Sequence, residues 1–125
     1  MTPKTDPATV GRIGEELAAA FYLQNGYELL ERNWRWHNRG ELDLIAYHKK
    51  KKLLAVCEVK TRSAGPPAFP LEAVTPQKQR KIRFLTEIYC LRSSVPADSS
   101  VRFDVIGIVL ENGTAKHFCF LENAF

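Results

Sequence analysis

The sequence predicts one α/β domain, a mixed β-sheet flanked by helices, with elements in the order α-β-β-β-α-β-β. Three observations predict it. Two segments place apolar residues at helical spacing. Five shorter segments alternate, or run continuously apolar over strand length. The third and fourth strands are separated by the second helix, which calls for a parallel pair with a right-handed crossover, whereas the other strands follow one another through short turns. The chain has 125 residues, 45% of them hydrophobic, enough for one core without disulfides or metal staples. Residues 1–9 read as a flexible N-terminal tail, with 10–125 as a single domain.

The first helix is expected to start at Pro7 or Thr9 and to end at Asn25, where Asn25-Gly26 supplies a stop. Val10, Ile13, Leu17, Phe21 and Gln24 form one stripe, joined by Ala20, and that stripe is the expected core face. Glu15 points the other way, among Gly11, Gly14, Ala18, Ala19 and Tyr22. A face of small residues lets a strand or a ligand approach the helix backbone closely. A first strand is expected over 27–36, anchored by Leu29, Leu30 and Trp34, before the turn His37-Asn38-Arg39-Gly40. In the second strand, 41–47, alternation puts Leu42, Leu44 and Ala46 on one face and Glu41, Asp43, Ile45 and Tyr47 on the other. His48 and Lys49 to Lys52 form a basic turn, read as a solvated loop.

The third strand, 53–61, puts Leu54, Val56, Glu58 and Lys60 on one face and Leu53, Ala55, Cys57 and Val59 on the other. It is apolar on both sides until Glu58, the pattern of a central, covered strand. Residues 62–71 hold Gly65, Pro66, Pro67 and Pro70 and read as a loop. Thr75 and Pro76 cap and open the second helix, which runs to Arg92 with Ile82, Leu85, Ile88 and Tyr89 buried. The fourth and fifth strands, 101–110 and 115–121, are joined through Asn112-Gly113, a hairpin signal.

Several classes are excluded. The longest apolar run is strand-sized, so no membrane span is expected, and the cytoplasm is the expected compartment. Cys57, Cys90 and Cys119 lie in apolar stretches, do not sit at metal-ligand spacing and read as buried free thiols, which argues against zinc. The net charge of +4 is compatible with a nucleic-acid partner without requiring one.

Charge in strands that should be apolar is the main functional signal. Asp43 lies between Leu42 and Leu44, and Glu58 and Lys60 close the most apolar strand. A buried carboxylate is costly unless paired or bound to a cation, and a shared cation removes the repulsion between two of them. Oxygen donors without His or Cys favour Mg²⁺ or Mn²⁺. The carbonyl of Val59 is a further candidate ligand. Such a metal would polarise a phosphate and activate water, with Lys60 on the same face to stabilise charge. Arg62, Gln77 and Lys78, together with Arg12, are the candidates for nucleic-acid contacts. Asp104 reads as a structural partner of Arg102, Glu41 as a supporting or solvent residue, and the three histidines as surface or packing residues.

The spacing Asp-(x)14-Glu-x-Lys resembles that of the PD-(D/E)xK nucleases. A longer series is more specific: Gly11-Arg12-Ile13-Gly14-Glu15-Glu16-Leu17-Ala18, Arg32-Asn33-Trp34-Arg35, Gly40-Glu41-Leu42-Asp43-Leu44-Ile45-Ala46, Glu58-Val59-Lys60-Thr61-Arg62, Lys78, Arg102-Phe103-Asp104-Val105 and the closing Asn123-Ala124-Phe125. Together these are similar to the YraN family of small bacterial proteins described as candidate endonucleases. The resemblance covers residues 10–125. It implies a restriction-endonuclease-like fold near that of archaeal Holliday-junction resolvases, and by the same resemblance Glu15 joins the metal shell. Leu42 stands where the superfamily motif has proline, and Cys57 where an aliphatic residue is common. The expectation is a Mg²⁺- or Mn²⁺-dependent endonuclease acting on DNA, branched or structured DNA included, as a homodimer where both strands are cut. The alternative is a non-catalytic nucleic-acid-binding or adaptor module on the same fold.

Overall fold

The computed structural model describes residues 6–63 and 74–125. It contains seven elements: α1 (Pro7–Gln24), β1 (Glu28–Arg35), β2 (Glu41–His48), β3 (Leu53–Arg62), α2 (Pro76–Arg92), β4 (Ser100–Glu111) and β5 (Thr114–Leu121). The five strands form one sheet in sequential order, antiparallel at β1/β2, β2/β3 and β4/β5 and parallel at β3/β4. The predicted α-β-β-β-α-β-β order and mixed sheet are both found. The expected tail over 1–9 is corrected at its end. The Asp6 carboxylate accepts from Thr9 N–H at 2.9 Å and caps α1, so Pro7 to Thr9 form its first turn. Residues 1–5, and most of the Pro-rich loop expected over 62–71, lie outside the described residues.

Local chemistry explains most boundaries. The Thr75 hydroxyl accepts from Lys78 N–H at 3.2 Å, and Pro76 opens α2 where a missing N–H is harmless. Asn112 and Gly113 both have positive φ, the geometry of a tight turn matched to strand twist, and they close the β4/β5 hairpin. β3 and β4 are central, and β4 is buried continuously from Phe103 to Leu110.

The core has two layers, one on each face of the sheet. On the α1 side lie Val10, Ala18, Ala19 and Tyr22 with Leu44, Ala46, Ala55, Cys57, Ile106 and Ile108. On the α2 side lie Ile82, Leu85 and Tyr89 with Leu42, Ile45, Leu54, Val56, Phe103 and Val105. The face of α1 differs from expectation. Its small-residue face, Gly14, Ala18, Ala19 and Tyr22, is the buried one, while Ile13, Leu17 and Phe21 are half-buried along its flank. The close approach is made by a strand: a Cβ on Gly14 would lie 1.7 Å from Thr61 Oγ1 of β3. Gly14 therefore brings α1 down onto the end of β3 that carries Glu58 and Lys60. All three cysteines are free thiols, but only Cys57 is buried as expected; Cys90 and Cys119 are half-buried. Among the described residues, no helix is long and apolar enough to cross a membrane.

Candidate active site

The site forms where the β2/β3 ladder ends. Its pairing runs from His48↔Leu53 to Leu44↔Cys57 and goes no further, whereas β3 stays paired to β4 through Arg62↔Val109. From Glu58 onward, β3 is thus laddered on its β4 side. If the β2/β3 register continued, Val59 would face Leu42. Instead Val59 N–H donates to Asp43 Oδ2 at 2.9 Å, so a carboxylate replaces a strand carbonyl at the opening. This is also where alternation in β2 fails. Leu44 and Ala46 face α1 as a pair, but Leu42 joins Ile45 and Tyr47 on the α2 side, against the expected grouping of Leu42 with Leu44. β3 alternates as read from the sequence.

Glu58 is 5% exposed. Its Oε1 is 3.5 Å from Lys78 Nζ and 3.7 Å from Lys60 Nζ, one ammonium from α2 and one from its own strand. Both lysines keep part of their side chains in solvent, so a ligand arriving from outside can reach them. Asp43 is half-buried. Burial first, and the neighbouring Glu58 carboxylate second, push Asp43 far above the ordinary carboxylate range, to about 7, against the opposing pull of the Val59 N–H; the Glu15 charge raises it further and Lys78 lowers it. Two carboxylates held together in a partly desolvated pocket repel one another, and binding a cation is the direct way to relieve that repulsion.

Glu15 reaches the same region from α1. Its Oε2 accepts from Asn33 Nδ2 of β1 at 2.9 Å. Next to this contact Glu16 is ion-paired with Arg32, so two adjacent residues of α1 grip two adjacent residues of β1. Asp43, Glu58, Lys60 and Lys78 converge as the sequence suggested, and Glu15 lies within electrostatic reach of Asp43. Among the described residues, no group of three or more His, Cys, Asp and Glu side chains is assembled closely enough to hold a metal ion on its own. The donors present still fit a hard divalent cation, because Mg²⁺ is commonly bound through one or two carboxylates, with water and substrate phosphate completing its shell.

The remaining candidates are more dispersed. Arg12 is exposed on α1 and its guanidinium donates to Thr9 Oγ1 at 3.4 Å. Gln77 is exposed in the first turn of α2, and Arg62 is half-buried at the end of β3. Glu41 pairs with the exposed Arg35 at 2.9 Å. Asn33, which holds Glu15, is a site neighbour that sequence reasoning missed. Its signal in the sequence was weak, an Asn inside a strand pattern, a residue type that tolerates the left-handed conformation.

Residues 14–108 match the model of the uncharacterised protein family UPF0102. A UPF0102 protein of Chlorobium phaeobacteroides (strain BS1) is 40% identical over 124 residues, covering 95% of each chain. One from Pelobacter propionicus is 42% identical over 127 residues, 99% of this chain and 87% of the relative. One from Streptomyces coelicolor is 41% identical over 101 residues, 81% and 76% of the two chains. Among solved structures, the crystal structure of a repair endonuclease from Pyrococcus abyssi overlays with a TM-score of 0.46 at 20% identity, covering 90% of this chain and 42% of that one.

Proposed function

The chain belongs to the UPF0102 family, the YraN resemblance read from the sequence, and from its site we propose that it is a metal-dependent nuclease hydrolysing phosphodiester bonds in DNA. The observation that carries the reading is the placement of Asp43 and Glu58 at the opening of the β2/β3 ladder, with Lys60 and Lys78 against Glu58. Asp43 and Glu58, with Glu15 and the Val59 carbonyl, are the residues that would hold Mg²⁺ or Mn²⁺. Such a metal, when bound, lowers the pKa of a water and polarises the scissile phosphate.

The residues of the chain supply the rest. Glu58 holds the two ammonium groups in place before substrate arrives, which removes the cost of organising them during the reaction. When a phosphodiester enters, Lys60 and Lys78 can hydrogen-bond its non-bridging oxygens and offset charge that builds on phosphorus. Arg12, Arg62 and Gln77 are proposed contacts for the flanking backbone. Structured or branched DNA is the proposed substrate class.

A second reading, a nucleic-acid-binding module without catalysis, is favoured by one observation: Glu58 already has two lysine partners, so its charge is compensated without a cation. Cleavage of linear, flapped and four-way DNA with Mg²⁺, Mn²⁺ or EDTA separates the two. The nuclease reading expects metal-dependent products that vanish in Lys60→Ala. Binding that persists in EDTA, weakens steeply with salt and is never followed by cleavage would establish the second reading.

A further inference from the structure

β1 contains a backbone conformation that strands rarely hold. Asn33 has φ 51°, in the left-handed region that Asn tolerates better than most residues. The register Arg32↔Leu44 and Trp34↔Leu42 places Asn33 opposite Asp43. Side chains on either side of it leave opposite faces of the sheet. Arg32 reaches Glu16 of α1, whereas the Trp34 ring meets Tyr89 of α2 edge-on at 5.2 Å. In a regular strand two residues at this spacing share a face. β2 makes the matching switch, with Leu44 toward α1 and Leu42 toward α2. The paired twist turns the Asn33 amide toward α1, where its Nδ2 donates to Glu15 Oε2.

Glu15 needs such a partner. It neighbours Glu16 in sequence and lies within electrostatic reach of Asp43, so repulsion favours rotamers that carry its carboxylate out to solvent. A neutral donor from the strand opposes that without competing for a cation as an ammonium would. We propose that Asn33 is a positioning residue, the β1 amide that holds the Glu15 carboxylate at the Asp43 end of the sheet so that Glu15 can join a hard-cation site. The proposal rests on the reading of Asp43 and Glu58 as that site.

The test is a calorimetric titration of Mn²⁺ into the full chain and its variants, which needs no cleavage. Asn33→Gly keeps the positive φ accessible and removes the amide. It is expected to weaken Mn²⁺ binding about tenfold, the scale seen when a partner that orients a metal ligand is lost. Asn33→Asp keeps the size and sets a carboxylate against Glu15, so it weakens binding at least as much. Glu15→Gln weakens binding too, and adding Asn33→Gly to it causes no further loss, because the amide acts through Glu15. Wild-type affinity in Asn33→Gly or in Glu15→Gln, or full additivity of the two, would overturn the role of Asn33 while the site stands. If the wild type takes up no Mn²⁺, or Asp43→Asn binds as tightly as wild type, the site reading itself fails and the proposal falls with it.

Discussion

The domain buries two clusters of charge, and they are built in opposite ways. On the α1 face of β4, opposite Cys57, Asp104 is fully buried, yet both its oxygens are satisfied. Oδ1 accepts from Arg102 Nε at 2.8 Å and Asn123 N–H at 3.0 Å, and Oδ2 from Arg102 at 2.8 Å and the Tyr22 hydroxyl at 2.6 Å. Arg102 also donates to Glu122 at 2.8 Å and to the Tyr27 hydroxyl at 3.0 Å. Burial, then the Cys57 thiol and the Asp104 charge, hold the Tyr22 hydroxyl protonated far above its ordinary range, so it stays a donor. This cluster ties α1, the α1–β1 connection at Tyr27, β4 and the closing residues together. At the ladder opening, by contrast, Asp43 accepts one hydrogen bond among the described residues and sits against a second carboxylate. A saturated carboxylate fixes structure. A carboxylate left short of partners beside another retains capacity for a ligand, and this difference supports the proposed site at the ladder opening over the Asp104 cluster.

The comparison can be broken by mutation. The largest expected effect is on stability at the saturated cluster. Asp104→Ala leaves the Arg102 guanidinium buried without its main partner and should cost about 3–5 kcal/mol in urea unfolding. Lys60→Ala should leave the urea midpoint nearly unchanged and slow DNA cleavage by about 10²–10³-fold, the scale for losing one preorganised charge-stabilising group. Gly14→Ala tests the packing that unites α1 with the site. Its Cβ collides with Thr61, and the overlap should cost about 1–3 kcal/mol and displace Glu15, so cleavage should fall with stability.

The smallest effect has a diagnostic sign. The folded pKa of Asp43 lies above its ordinary value of 3.8, at about 7, so between these the folded state binds more protons than the unfolded one. Its contribution to stability is therefore greatest in acid and is lost as pH rises through that window. Asp43→Asn should flatten this part of the stability-against-pH curve and raise Tm at pH 8, while removing cleavage. A Tm that falls at pH 8 would mean that the Asp43 charge stabilises the fold.

What the sequence revealed follows the range of the physics involved. Thr75 with Pro76, and Asn112 with Gly113, act within a few residues, and their caps and turn were legible. The convergence of Asp43, Glu58 and Lys60 was legible because period-two patterning places them on neighbouring strands. The buried face of α1 was not, because size alone pointed to Ile13, Leu17 and Phe21, whereas the deciding factor was the approach of Thr61 to Gly14, 47 positions away in the chain. Leu42 was assigned to the wrong face because strict alternation cannot anticipate a left-handed residue on the neighbouring strand. The Arg102–Asp104 pair was visible at its spacing. Its Tyr22 partner, contributed by a helix near the other end of the chain, was not.

Thermal unfolding at pH 8 with increasing Mn²⁺ asks whether the unsaturated cluster takes up a cation and the saturated one does not. A cation that binds the folded state raises Tm with concentration. Tm should rise with Mn²⁺ for wild type, whereas Asp43→Asn should have a higher but Mn²⁺-insensitive Tm. A wild-type Tm unmoved by Mn²⁺, or one that rises equally in Asp43→Asn, would contradict a cation site at the unsaturated cluster.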